Sequence, residues 1–192
     1  MILGLTGGIA SGKSTISKKL KELGSYIIDA DKISREVSES IEVLEKLEKK
    51  FGSEIIDKGH LDRQKLRKII FENEGKRELL NNIMHPAIVA KIIEEIDENR
   101  EKKLITLDIP LLYETGLEFL CDKVLVVSTD ETTQIERIKT RDGIEWELAK
   151  KIIDTQMPLT EKRKKSDIYI ENNGDLGELL KKVELLYYKI LK

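Results

Sequence analysis

The sequence predicts an α/β protein built on a five-stranded parallel sheet flanked by helices, and three observations lead there. Short apolar runs alternate with stretches of helical periodicity, as in a buried parallel sheet covered by helices on both faces. A glycine-rich turn stands directly between the first apolar run and the first helix. Acidic residues follow the second and third runs, at the carboxyl ends of strands, where such sheets bind their ligands.

Ile2, Leu3 and Leu5 make the first strand. After the turn, Ile16, Leu20 and Leu23 fall at helical spacing and Gly24 is a natural stop. Residues 26–28, 104–107, 124–127 and 168–170 supply four more strands. Two helical excursions, 32–99 and 131–164, leave a core of residues 1–31, 100–130 and 165–192. The first excursion shows only helical patterning, with stripes at Ile41, Leu44 and Leu47, at Leu66, Ile69 and Ile70, and at Leu79, Leu80 and Ile83. Pro86 is expected to open a new helix that buries Ile88, Ile92, Ile93 and Ile96. The second excursion is highly charged, and Trp146 within it reads as packing or as an anchor. A last helix is expected to carry Leu176, Leu179, Leu180, Val183, Leu186, Tyr187 and Ile190 toward the sheet.

Composition narrows the function classes. The 192 residues are 40% hydrophobic and 36% charged, with a net charge of −2. That balance excludes the general basic coat used for nonspecific nucleic-acid binding, so an anionic substrate must meet a local cluster of cations. Cys121 is the one cysteine, which rules out an intramolecular disulfide. No apolar run approaches the roughly 18 residues of a membrane span, and Met1 runs straight into the first strand without a leader pattern. The expectation is a soluble cytoplasmic protein with no nucleic-acid or membrane partner.

Gly7-Gly8-Ile9-Ala10-Ser11-Gly12-Lys13-Ser14 fits the phosphate-loop pattern G-x-x-x-x-G-K-[ST] without a mismatch, after a strand and before a helix. Glycines let the backbone curl around an anion, successive N–H groups point inward, and the helix N-terminus adds partial positive charge. Lys13 is placed to reach the β- and γ-phosphates of a nucleotide, and the Ser14 hydroxyl to ligate Mg²⁺. Asp108 ends the third strand, where an acid can hold Mg²⁺ directly or through water. After it, Ile109-Pro110-Leu111-Leu112 is an unusual strand exit whose two leucines can wall a substrate pocket.

Asp29 and Asp31 follow the second strand two residues apart, so in extended chain they share a face. One of them can take the proton of an acceptor hydroxyl; equally, Asp31 can cap a helix beginning near Lys32. Arg137 and Arg141 are four apart and share a helical face, a placement suited to closing over phosphate. Lys162 and Arg163 read as solvated surface. His85 has no Cys or His at metal-ligand spacing and reads as structural.

These residues together resemble the dephospho-CoA kinase family of P-loop kinases over nearly the entire chain. The similarity runs through Gly4-Leu5-Thr6-Gly7-Gly8-Ile9, Asp29-Ala30-Asp31 with Arg35 and Val37, Leu61-Asp62-Arg63, His85-Pro86, Arg137, Arg141-Asp142, Gln156-Met157-Pro158, Lys162 and Asp167 with Asn172-Asn173-Gly174. Its most specific stretch is Asp108-Ile109-Pro110-Leu111-Leu112-Tyr113-Glu114. Ala10 stands where the family usually has glycine. The resemblance implies ATP-dependent phosphorylation of the ribose 3′-hydroxyl of dephospho-CoA, with Mg²⁺. It implies that 32–99 is the acceptor-binding insert and 131–164 the lid. Asp31, Lys13 and Arg141 would be catalytic. Gly7 to Thr15, with Arg137 and Asn172, would bind ATP. Thr6, Asp31, Arg35, His85, Asp108 and Leu111 would hold the acceptor, and Ser14 and Asp108 the metal. The nearest rival is a P-loop kinase acting on a nucleoside monophosphate or a sugar acid. A GTPase-like switch would need an Asn-Lys-x-Asp motif, which the sequence lacks.

Overall fold

Parallel strands need long crossovers, and here helices supply them. In the computed structural model, which describes residues 1–71 and 73–191, β1 (Ile2–Gly7) leads through α1 (Lys13–Glu22) to β2 (Tyr26–Asp29). Next come α2 (Ala30–Ser38), α3 (Ile41–Phe51), β3 (Ile56–Asp57), β4 (His60–Leu61), α4 (Arg63–Phe71) and α5 (Glu74–Glu98). They are followed by β5 (Ile105–Asp108), β6 (Lys123–Ser128), α6 (Glu131–Asp142), α7 (Trp146–Asp154), α8 (Leu159–Lys165), β7 (Ile168–Glu171) and α9 (Leu176–Ile190). The residues cluster into two units, Met1–Ile28 with Asn99–Lys192, and Asp29–Glu98.

All five expected strands form one parallel sheet in the order β2-β5-β1-β6-β7. β1 is central, in register with β5 at Ile2↔Ile105 and with β6 at Leu3↔Lys123. Its neighbours cover both edges, so Leu3 and Leu5 are fully buried among Ile16 and Leu20 of α1 and Leu179, Val183 and Tyr187 of α9. The chain leaves β1 toward one side of the sheet and β6 toward the other, which puts the switch of strand order at the carboxyl end of β1. Gly24 ends α1 as expected. It has a left-handed φ of 105° and donates to Lys21 O, while Ser25 N–H reaches Leu20 O at 3.0 Å, the Schellman pairing. Trp146 opens α7 half exposed, and the buried residue of that helix is Ala149.

The second unit corrects three expectations. Pro86 does not open a helix; it lies inside the 25-residue α5. The exposed face of α5 carries both Pro86 and Asn82, so water can satisfy the Asn82 carbonyl that a proline N–H cannot reach, and Ile92 and Ile96 stay buried beyond it. In α3 the buried face is Val43, Leu47 and Phe51, four residues apart, while Ile41 is 77% exposed. The region is also not purely helical. β3 and β4 pair antiparallel about Lys58 and Gly59, whose φ of 50° and 85° make the left-handed two-residue turn that matches strand twist. No described helix is long and apolar enough to cross a membrane.

A Cβ on Gly24 would sit 3.2 Å from the Tyr187 hydroxyl as well as in left-handed backbone. Gly24→Ala is expected to destabilise the protein by about 1–2 kcal/mol, read as a lower urea midpoint with unchanged slope.

Candidate active site

The phosphate loop occupies the turn from β1 into α1, and its shape is set from outside. Ile9 O accepts from Gln134 Nε2 (2.7 Å), Ala10 O from Arg137 Nη1 (3.1 Å) and Ser11 O from Asn172 Nδ2 (2.8 Å). Gly8 O accepts from Ser11 N–H and Gly12 O from Thr15 and Ile16 N–H. Five consecutive carbonyls are thus held by protein donors, and of the loop N–H groups those of Gly8, Ile9 and Ser11 are taken by Val127 O, Gln156 Oε1 and Gly8 O. Those of Lys13 and Ser14, at the start of α1, have no partner within the helix, which makes the loop an anion cradle. Two glycines are required by contact. A Cβ on Gly7 would collide with Val127 O, and one on Gly12, where φ is 95°, with Asn172 Nδ2. Ala10 takes a left-handed φ of 59°; its methyl packs against the cluster of Ile135, Ile138 and Ala149, which offsets the strain.

Asp108 ends β5, next to β1 in the sheet, and is buried. Its Oδ1 accepts directly from Lys13 Nζ. A cleft of about 360 Å³ opens beside the loop, lined by Ser14 and Thr15, by Arg137 and Arg141, and by Asn172, Gly174, Leu176 and Leu179 among others. Arg137 and Arg141, four apart on α6, thus both line one cleft. Arg137 also donates to Asn172 O at 3.5 Å, while Arg141 forks onto Asp142 with two 2.7 Å bonds. That contact holds the Asp142 carboxyl below its ordinary range. Ser14 and Asp108 offer a hydroxyl and a carboxylate on adjoining elements. That is a fitting donor set for Mg²⁺, which takes few protein oxygens and completes its shell with water and phosphate. Among the described residues no group of three or more His, Cys, Asp or Glu forms a metal-binding cluster.

The expectation for Lys162 is overturned: it is fully buried, bonded to Glu114 Oε1 at 2.8 Å and to Pro110 O at 3.3 Å. A buried ammonium persists only when paired, and the acid that pairs it comes from the loop after β5, which sequence spacing does not reveal. Arg163 is exposed as expected, against Glu171 and the Tyr169 ring. Glu114 Oε1 also accepts from Met157 N–H (2.9 Å), and Gln156 Oε1 from Ile9 N–H (2.9 Å). Thr6 is fully buried and donates to Pro110 O at 2.9 Å. Of the two leucines expected to wall a pocket, Leu111 is 41% exposed, whereas Leu112 is buried and would lie 3.0 Å from a Cβ on Gly4. Burial, with Asp167 nearby, pushes the Tyr113 hydroxyl up to about 12. Asp167 itself binds Val124 N–H beside the start of β6 (2.8 Å), so its place is the amino end of the sheet rather than the cleft.

In the second unit, the helix cap is Asp29, not Asp31. Asp29 Oδ1 accepts from Asp31 and Lys32 N–H at 2.9 and 3.1 Å. Asp31 is therefore in the first turn of α2 rather than in extended chain, and the two acids do not share an extended face. Its carboxylate is exposed, one helical turn before the exposed Arg35. His85 lies exposed on α5. Gln134 is the residue that sequence reasoning passed over, since it carries no motif signal. Gln156 stood in the Gln156-Met157-Pro158 stretch of the family resemblance, but its contact with Ile9 was not foreseen.

The sequence model of the dephospho-CoA kinase family matches residues 1–178. A dephospho-CoA kinase of Fusobacterium nucleatum is 50% identical over 185 residues, covering 96% of this chain and 95% of the relative. Among solved structures, a Thermus thermophilus protein superposes with a TM-score of 0.85 at 31% identity, covering 98% of this chain and 97% of that one. Dephospho-CoA kinase from Campylobacter jejuni does so at 0.77 and 33%, covering 98% and 96%. With a phosphate loop, an acid-ended neighbouring strand and a match along nearly all of its length, the chain belongs to the dephospho-CoA kinase family.

Proposed function

We infer that this protein transfers the γ-phosphoryl group of ATP to dephospho-CoA, at the ribose 3′-hydroxyl, and so makes coenzyme A in the last step of its synthesis. The observation that carries the reading is the anion cradle at the carboxyl end of β1, with Lys13 held by Asp108 beside it, in a chain of this family. Membership of the family supports the acceptor, and the loop supports the nucleotide donor.

The roles follow from chemistry. Phosphoryl transfer passes through a loose transition state, so the protein contributes position and charge more than covalent chemistry. The loop amides and Lys13 hold the phosphates. Arg137 and Asn172 fix the loop and border the cleft beside it, and Arg141, on the same cleft, adds charge to the group in flight. Asp31, with its carboxylate exposed, orients the acceptor hydroxyl and takes its proton. Arg35, His85 and Leu111 contact the acceptor, while Thr6 acts through Pro110. Ser14 and Asp108 hold Mg²⁺, which when bound neutralises phosphate charge. Residues 32–99 serve the acceptor and 131–164 serve as lid. The reaction is assigned to the cytoplasm.

Coenzyme A formation from dephospho-CoA, ATP and Mg²⁺ is the test, followed by chromatography. Wild type is expected to give product and Lys13→Ala to lose about 100-fold or more in kcat/KM. Failure of wild type to make product while still binding ATP would overturn the acceptor and redirect the search to nucleotides and sugar acids. Asp31→Asn is expected to keep ATP affinity within about threefold yet lose about 100-fold or more in kcat. Near-normal turnover in that variant would remove Asp31 from its role.

A further inference from the structure

Asp108 and Lys162 are the buried charges among the described residues, and the reaction as derived uses only the first. Lys162 is the centre of a ring of polar contacts. Its ammonium donates to Glu114 and to Pro110 O, and Pro110 O also accepts from Thr6, three residues before Ile9. Glu114 Oε1, already bound to Lys162, accepts the Met157 N–H. The neighbouring Gln156 then takes the Ile9 N–H, and Gln134 of α6 donates to Ile9 O. Both sides of the Ile9 residue in the phosphate loop are thus gripped by residues of the lid segment. Glu114 cannot swing away without leaving a buried ammonium unpaired, so it is a fixed post against which the lid exit is set.

We propose that Glu114 is a positioning residue for phosphoryl transfer, holding the lid exit at Met157 so that Gln156 keeps the Ile9 peptide and the phosphate loop in working register. The proposal rests on the kinase reading above. Glu114 does not touch substrate; it acts through Met157, Gln156 and Ile9. Phosphate affinity comes chiefly from the amides near the start of α1 and from Lys13, so loss of this register lowers kcat more than it raises the KM for ATP.

Two double variants separate positioning from mere support. E114M/K162M removes both charges and the acceptor for Met157, whereas E114Q/K162M removes both charges but keeps an acceptor oxygen. A buried ion pair replaced by residues of similar volume usually leaves stability little changed. In E114M/K162M, kcat is expected to fall about tenfold or more, with the KM for ATP within about threefold, and Ile9 amide hydrogen exchange to quicken about tenfold. E114Q/K162M is expected to recover most of both. Equal behaviour of the two variants, or kcat within about twofold of wild type in folded E114M/K162M, would overturn the proposal. Should E114M/K162M not fold, Gln156→Leu leaves the buried pair intact and must reproduce the kcat loss; wild-type turnover there overturns it as well. Ile9 exchange needs no acceptor. If wild type makes no coenzyme A, the proposed function fails, and the coupling stands or falls on exchange alone.

Discussion

The site depends on keeping a run of backbone carbonyls turned away from where phosphate binds. A tight loop left to itself would point some of them inward and repel an anion. Here Gln134, Arg137 and Asn172, from α6 and the end of β7, each hold one carbonyl of the loop from outside. Each bond is worth only about 1 kcal/mol net, yet together they fix the sign of the electrostatic surface facing the ligand. One glycine follows from the same constraint, because Asn172 Nδ2 approaches too closely for a side chain at Gly12; at Gly7 it is the Val127 carbonyl of the neighbouring strand that leaves no room.

The stretch after β5 becomes intelligible in the same terms. Asp108 receives Lys13, Pro110 O receives Thr6 and Lys162, Leu112 fills the space against Gly4, and Glu114 receives Lys162 and Met157. Nearly every second residue thus meets a specific partner from another element. An apolar turn with a proline and two acids is thus fixed by side-chain partners, whereas the requirements of the phosphate loop are mostly those of backbone geometry.

The sheet was legible because its five strands are continuous apolar runs separated by helices, and the loop because its motif stood in the right context. The cleft was half legible, since the spacing of Arg137 and Arg141 is a local helical fact. What stayed hidden depends on distant partners. Lys162 looks like one more surface lysine in a charged run until the tertiary fold supplies Glu114. Gln134 has no local signature, and the Gln156-Met157-Pro158 stretch does not tell what Gln156 meets, because both glutamines meet Ile9, well over a hundred residues earlier in the chain. The Lys58-Gly59 hairpin lacked the usual Asn-Gly signal, and Pro86 was tolerated within α5 because it faces water. Asp29 took the cap that Asp31 could equally have claimed, a choice made by where β2 ends.

The placement of β1 bears on how the chain is made. Both of its sheet partners come from far downstream, β5 at Ile105 and β6 at Lys123, so during synthesis it must wait roughly a hundred residues for its first neighbour, a long loop to close. The Asp29–Glu98 unit, by contrast, is contiguous and can collect its contacts while the rest is still being translated. A strand that ends up with Leu3 and Leu5 fully buried therefore stays exposed through much of synthesis, and those two leucines are the natural grip for a chaperone in that interval.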